Sequence, residues 1–147
     1  MFEAELILKT TPPRLPRAAL ERPRFVELWQ QVNERAVLAV VAPAGFGKTT
    51  LMLQWRRLWL ERGSYVAWAT LDAQDEPARF ARCLLHAMRS ATGRAAFEPL
   101  AALCASQPDR EMEAMTAMLA EVSSIGVETV LMLDDTERLP GSSLHLL

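Results

Sequence analysis

Val37-Leu-Ala-Val-Val-Ala-Pro-Ala-Gly-Phe-Gly-Lys-Thr-Thr50 is the stretch on which the reading of this 147-residue chain turns. Its opening run, Val37 to Ala42, is short, β-branched, uncharged and apolar on both faces. Such runs suit central strands of a parallel sheet covered by helices on each side. Pro43 to Gly47 follows as a glycine-containing loop, and from Lys48 to Arg62 the pattern turns helical, with Leu51, Met52, Trp55, Leu58 and Trp59 on one side. Ala42 to Thr49 fits the phosphate-loop pattern G-x-x-x-x-G-K-[ST], with alanine at the first glycine position. Glycine at 45 and 47 tolerates positive φ and lets backbone N–H groups approach phosphate oxygens, so Ala44, Gly45, Phe46 and Gly47 form the expected cradle. The helix dipole starting at Lys48 points at the same anion. Lys48 is expected to reach the β- and γ-phosphates, Thr49 to give its hydroxyl to Mg²⁺, and Thr50 to bond the α-phosphate. The plain alternative is a strand–helix turn whose lysine only starts a solvated helix.

A second element argues against that alternative. Val130-Leu-Met-Leu-Asp-Asp135 is an apolar run ending in two acids. A carboxylate at the C-terminal edge of a buried strand sits where parallel sheets open to ligand. Mg²⁺ is a hard cation held by a carboxylate, waters and phosphates, so Asp134 with Thr49 suffices as its protein ligands. Asp135 is the candidate to orient or deprotonate an attacking water, with a turn or helix cap as its competing role.

Between these motifs the pattern alternates. Phe25, Leu28, Trp29, Val32 and Ala36 fall at helical spacing, Tyr65 to Leu71 reads as a strand, and Asp75 before Pro77 is an N-cap candidate. Phe80, Cys83, Leu84, Ala87, Met88 and Ala91 make a strong helical face. Residues 92–109 read as irregular, with a short helix around 100–105. Asp109 is expected to cap a helix whose inner face is Met112, Met115, Leu119 and Val122, and Val127 to Leu133 is the third strand. The four tryptophans are expected between sheet and helices. This order predicts an α/β fold: a P-loop NTPase-like parallel sheet flanked by helices, incomplete, with about three strands. Residues 1–24, with Pro12, Pro13, Pro16 and Pro23 among five basic residues from Lys9 to Arg24, read as an extended Pro/Arg-rich arm, and 25–147 as the partial NTPase domain.

Composition narrows the function classes. The sequence is 50% hydrophobic and 23% charged, enough to bury a core. Sixteen Lys and Arg against eighteen Asp and Glu give a net charge of −2, which excludes a globally basic nucleic-acid binder. Cys83 and Cys104 are too few for a disulfide framework and fit a reducing cytoplasm. No stretch is long enough for a bilayer and no signal peptide is visible. Cys83, His86 and Cys104 lack the paired spacing of a metal site, and His86 and His145 lack a nucleophile or carboxylate partner.

Four segments in order, TPPRLPRAALERPRFVELW, VVAPAGFGKTTLMLQW, VAWATLDAQDEPARFARCLLHAM and VLMLDD, resemble the N-terminal ATPase of MalT-like, LuxR-type large transcriptional regulators of the STAND class. The resemblance runs from Lys9 to about Leu139, and the family itself usually carries alanine where Ala42 stands. It implies a switch in which ATP with Mg²⁺ sits between this domain and later ones, the ATP form self-associates, and other domains sense the inducer and bind DNA. It also implies that Arg22-Pro23-Arg24 lies near the adenine, making Arg24 a nucleotide contact. In that class a later strand lies between the phosphate-loop strand and the one ending in Asp134. The chain is therefore expected to be a truncated portion of a cytoplasmic regulator, partnered by ATP or ADP and by the missing C-terminal domains. Direct DNA or membrane binding by this chain is not expected. If the chain folds alone, the first and third strands become free to pair directly, which would misplace Asp134. The alternatives are a free-standing small NTPase or small-molecule kinase, and a non-catalytic remnant; at most a weak ATPase is expected.

Overall fold

The protein is described by a computed structural model covering residues 3–17, 19–20 and 23–147. Two strands, β1 (Tyr65–Thr70) and β2 (Thr129–Asp134), form a parallel ladder in register from Tyr65 on Thr129 to Thr70 on Asp134. Helices α1 (Glu3–Thr10), α2 (Pro23–Val32) and α3 (Lys48–Glu61) precede it. Helices α4 (Pro77–Thr92), α5 (Phe97–Ser106) and α6 (Glu111–Ser123) make the crossover between the strands. Short 3₁₀ turns lie at Pro108–Arg110, Thr136–Arg138 and Gly141–Leu146.

The ladder separates two cores because successive side chains of a strand point to opposite faces. Val66, Trp68, Val130 and Met132 face Trp29, Trp55 and Trp59 from α2 and α3. The three helix tryptophans stack edge to face, Trp29 on Trp59 at 5.5 Å and Trp55 on Trp59 at 6.4 Å. That geometry matches aromatic quadrupoles and fills the space beneath the sheet. Ala67, Ala69, Leu131 and Leu133 face the other way, onto Phe80, Leu84, Met88, Phe97 and Met115 of the crossover helices. Small residues on this face of β1 let α4 lie close, and Phe80 is completely buried.

The first expected strand is absent among the described residues. Val37–Ala42 carries no ladder, yet its exposure alternates: Leu38 and Val40 pack on the tryptophan core while Val37 and Val41 are 84% and 92% exposed. This is the period of extended chain without a neighbour to bond. Nor do the first and third expected strands pair; β2 bonds to β1 instead, with Asp134 in register with Thr70. The expected extended arm begins with a helix, since residues 3–10 are apolar enough to dock Leu6 into the core. Residues 12–16 lack regular structure, and Pro23 and Arg24 open α2.

Smaller corrections follow from packing. Asp75 is not the cap of α4; Glu76 holds that position with no side-chain bond, and Asp75 is buried in an ion cluster described below. Asp109 lies in a 3₁₀ turn, with Arg110 at the N-cap of α6. The inner face of α6 is rotated from the expected one. Ala114, Met115 and Met118 are buried, whereas Met112 and Leu119 are 49% and 61% exposed. Helix α5 also extends beyond the expected 100–105, because Phe97 anchors its first turn in the core. The phase of α6 is testable by thermal melting: Met115→Ala should cost about 2–4 kcal/mol and Met112→Ala less than about 1 kcal/mol.

Candidate functional site

The loop Pro43–Gly47 joins the extended segment to α3. Gly45 and Gly47 hold φ of 80° and 83°, and a Cβ at either would meet nothing within 4 Å. Glycine is required there by backbone conformation, not by space, because an L side chain in the left-handed region costs roughly 1–2 kcal/mol. The Phe46 N–H donates weakly to Pro43 O at 3.4 Å, and the first helical bond runs from Leu51 N–H to Gly47 O at 2.9 Å. Gly47 is the N-cap of α3 and has no side chain to satisfy the first-turn amides. Those of Lys48, Thr49 and Thr50 therefore have no intrahelical acceptor. Lys48 folds back over the loop and donates to Ala42 O at 2.8 Å. Ala44 and Phe46 are exposed, Phe46 by 70%, and Thr50 is half-buried.

Across the sheet end, the Thr49 hydroxyl lies 3.1 Å from Oδ1 and 3.0 Å from Oδ2 of Asp134, joining residues 85 apart in sequence. Asp134 is buried, 7% exposed. Burial pushes its carboxyl above the ordinary aspartate value, the Thr49 hydroxyl pulls it down, and the charge of Asp135 pushes it up again. Both donors are oxygens, a hard set that fits Mg²⁺ and not a softer transition metal. Asp135 sits beside it with φ of 58°, left-handed for a residue that is not glycine, and opens the 3₁₀ turn Thr136–Arg138. Its carboxylate faces Arg138 Nη1 at 3.5 Å.

Arg24 is exposed, with its guanidinium over the Phe25 ring at 4.8 Å. The chain around it is tied to the second turn of α3, where Gln54 Nε2 donates to Leu20 O at 3.1 Å and Trp55 Nε1 to Phe25 O at 2.9 Å. Arg22 lies outside the described residues. Cys83, His86 and Cys104 do not form a metal cluster; no group of three or more candidate ligands occurs among the described residues. Cys83 is fully buried and its thiol is pushed up to about 12 by desolvation. His86 Nδ1 lies 2.9 Å from Thr10 Oγ1, and burial, with Arg89 nearby, pulls its pKa down.

One cluster escaped the sequence reading. Lys9 of α1 contacts Asp72 and Asp75, and Arg79 of α4 contacts Glu5, Asp72 and Asp75. The spacing of Asp72, Asp75 and Arg79 was its only local signal, because the cation that completes it arrives from more than sixty residues upstream.

These features converge on a phosphate-loop NTPase, and comparison with known proteins agrees. The family described as AAA domain matches residues 31–147, and the chain belongs to that family, with its P-loop NTPase-like α/β fold incomplete. It is 30% identical over 142 residues to the HTH-type transcriptional regulator MalT of Vibrio cholerae. It is 28% identical over 138 residues to MalT of Vibrio parahaemolyticus. Each match covers 93% of this chain and 15% of the relative. It is also 38% identical over 64 residues to the serine/threonine-protein kinase PknK of Mycobacterium tuberculosis, covering 43% of this chain and 6% of that one. The chain thus spans about 15% of the length of the MalT relatives. No solved structure matches. Among the described residues no helix is long and apolar enough to cross a membrane.

The raised pKa of Asp134 has a signed consequence. Protonated Asp134 favours the folded state, so its contribution is complete below the ordinary value of 3.8 and is lost as pH rises through the higher folded value. Asp72, whose pKa is lowered by the Lys9 contact against a desolvation that raises it, acts oppositely and loses its contribution as pH falls below 3.8. In metal-free buffer, Asp134→Asn should therefore melt higher than the parent chain at pH 7. That gain should vanish in calorimetric scans as pH approaches 3.8.

Proposed function

We propose that this chain is the nucleotide-switch portion of a MalT-like transcriptional regulator and binds ATP with Mg²⁺ through residues 42–50. The supporting observation is the Thr49–Asp134 contact, a hydroxyl and a desolvated carboxylate held together at the mouth of the glycine loop. A buried carboxylate with raised pKa is stabilised when a cation arrives, since an opposite charge favours its ionised form. The amides at Gly45, Gly47 and the first turn of α3 receive the phosphate oxygens. Lys48 exchanges the Ala42 carbonyl for the β- and γ-phosphates. Thr49 and Asp134 hold the metal, and Thr50 bonds the α-phosphate. Bound Mg²⁺ supplies charge neutralisation between the phosphates.

Turnover is slow or absent in this reading. Asp135 is the group that would orient water, yet its carboxylate is shared with Arg138 and partly solvated. ATP then acts by stabilising one state of the regulator, and its differential affinity sets the size of the shift. Self-association of the ATP form, signal sensing and DNA contact belong to the longer protein in which such a portion works. Arg24, exposed at the start of α2, serves the adenine end of the site.

Thermal melting tests the binding. A ligand at 100 times its Kd that binds only the folded state adds about 2.7 kcal/mol, or roughly 5–10 °C for a domain of this size. ATP with Mg²⁺ should give that shift, Lys48→Ala should abolish it, and Thr49→Val and Asp134→Asn should lose its Mg²⁺-dependent part. An unshifted transition in the parent chain would contradict the reading.

A further inference from the structure

The loop that leaves β1, residues 71–76, starts beside the candidate metal ligand and is gripped from the far end of the sequence. Lys9, in the last turn of α1, is 8% exposed, and its ammonium donates to Asp72 Oδ2 at 2.9 Å and to Asp75 Oδ2. The same Asp75 oxygen accepts the backbone N–H of Asp72 at 2.8 Å, and Asp75 is wholly buried. Arg79 braces the cluster through Glu5 and Asp72, with its Nε 3.2 Å from Asp75 Oδ1 as an ion pair without hydrogen-bond alignment. One residue back, the Leu71 N–H donates to Asp134 O at 2.9 Å, and Thr70 is the register partner of Asp134. A continuous path therefore runs from Lys9 through Asp75, Asp72 and Leu71 to the backbone carbonyl of Asp134, the residue whose carboxylate meets Thr49.

Buried ion clusters are poor sources of net stability, because desolvation offsets much of their attraction. Leu6, on the same helix as Lys9, anchors that helix in the core beside the cluster. Both lysine acceptors lie on the loop and neither on α4, so the contact restrains loop backbone more than it joins helices. We propose that Lys9 is a positioning residue for nucleotide-bound metal: by clamping Asp72 and Asp75 it fixes the Leu71–Asp134 junction and the aim of the Asp134 carboxylate. The proposal rests on the nucleotide reading above and adds a residue outside the phosphate loop to it. Outer partners that orient a metal ligand contribute to affinity without touching the metal.

The test is calorimetric titration of ATP, once with Mg²⁺ and once with EDTA, at a temperature where every variant is folded. Lys9→Met should raise Kd for ATP with Mg²⁺ about tenfold and leave Kd in EDTA within about twofold. Lys9→Arg should restore most of the loss, and Asp72→Asn should raise Kd for ATP with Mg²⁺ by a smaller factor than Lys9→Met. Met115→Ala, a core variant far from the loop in sequence, should lower melting temperature without changing either Kd. An unchanged Kd in Lys9→Met, or equal losses with and without Mg²⁺, overturns the proposal while the nucleotide reading stands. If Lys9→Met does not fold, Asp72→Asn decides, and a parental Kd there overturns it. A parent chain that binds ATP under neither condition overturns the nucleotide reading and this inference with it.

Discussion

The parallel pairing of Tyr65–Thr70 with Thr129–Asp134 is the constraint on which the molecule depends. It is the only strand ladder among the described residues, and it joins segments separated by the whole three-helix crossover. Its pleat divides the apolar residues into two cores, one built on tryptophans and one on the crossover helices. Its register also decides chemistry. Shifting β2 by one residue would exchange the faces of Met132 and Leu133 and carry Asp134 away from Thr49.

The site is consequently assembled from parts with different sources of rigidity. The loop takes its shape from two left-handed glycines and the start of α3. The carboxylate takes its place from the sheet. A third contribution comes from α1, whose lysine enters the loop after β1. Beside these, the extended segment before the phosphate loop buries one face and leaves Val37 and Val41 in solvent. Positioning of the glycine loop thus relies on side-chain packing of Leu38 and Val40 and not on a backbone ladder.

Local pattern was legible where one residue type has few uses. Gly45, Gly47, Lys48 and Thr49 stand on a loop and helix start, and the tryptophans fill one core, as spacing suggested. Asp134 was legible as the acid closing an apolar strand, and the structure places it buried at the end of β2 against Thr49. What failed depended on partners distant in sequence. Val37–Ala42 has strand composition, but a strand also needs a neighbour to bond. Asp75 has the sequence of a helix cap, but Lys9 competes for it from α1. The α6 face was misjudged because methionine and alanine recur on several sides of that helix, leaving the phase to the shape of the core.

In the proposed function, the glycine loop and the end of β2 act together as one site for ATP with Mg²⁺. Amide NMR during titration with ATP and Mg²⁺ tests it most directly. The amides of Gly45, Gly47, Lys48 and Thr49 should move together with that of Asp134, while those of α5 and α6 stay in place. Withholding Mg²⁺ should remove the Asp134 response and leave part of the loop response. Loop shifts with a silent Asp134, or shifts spread over α5 and α6 instead, would contradict it.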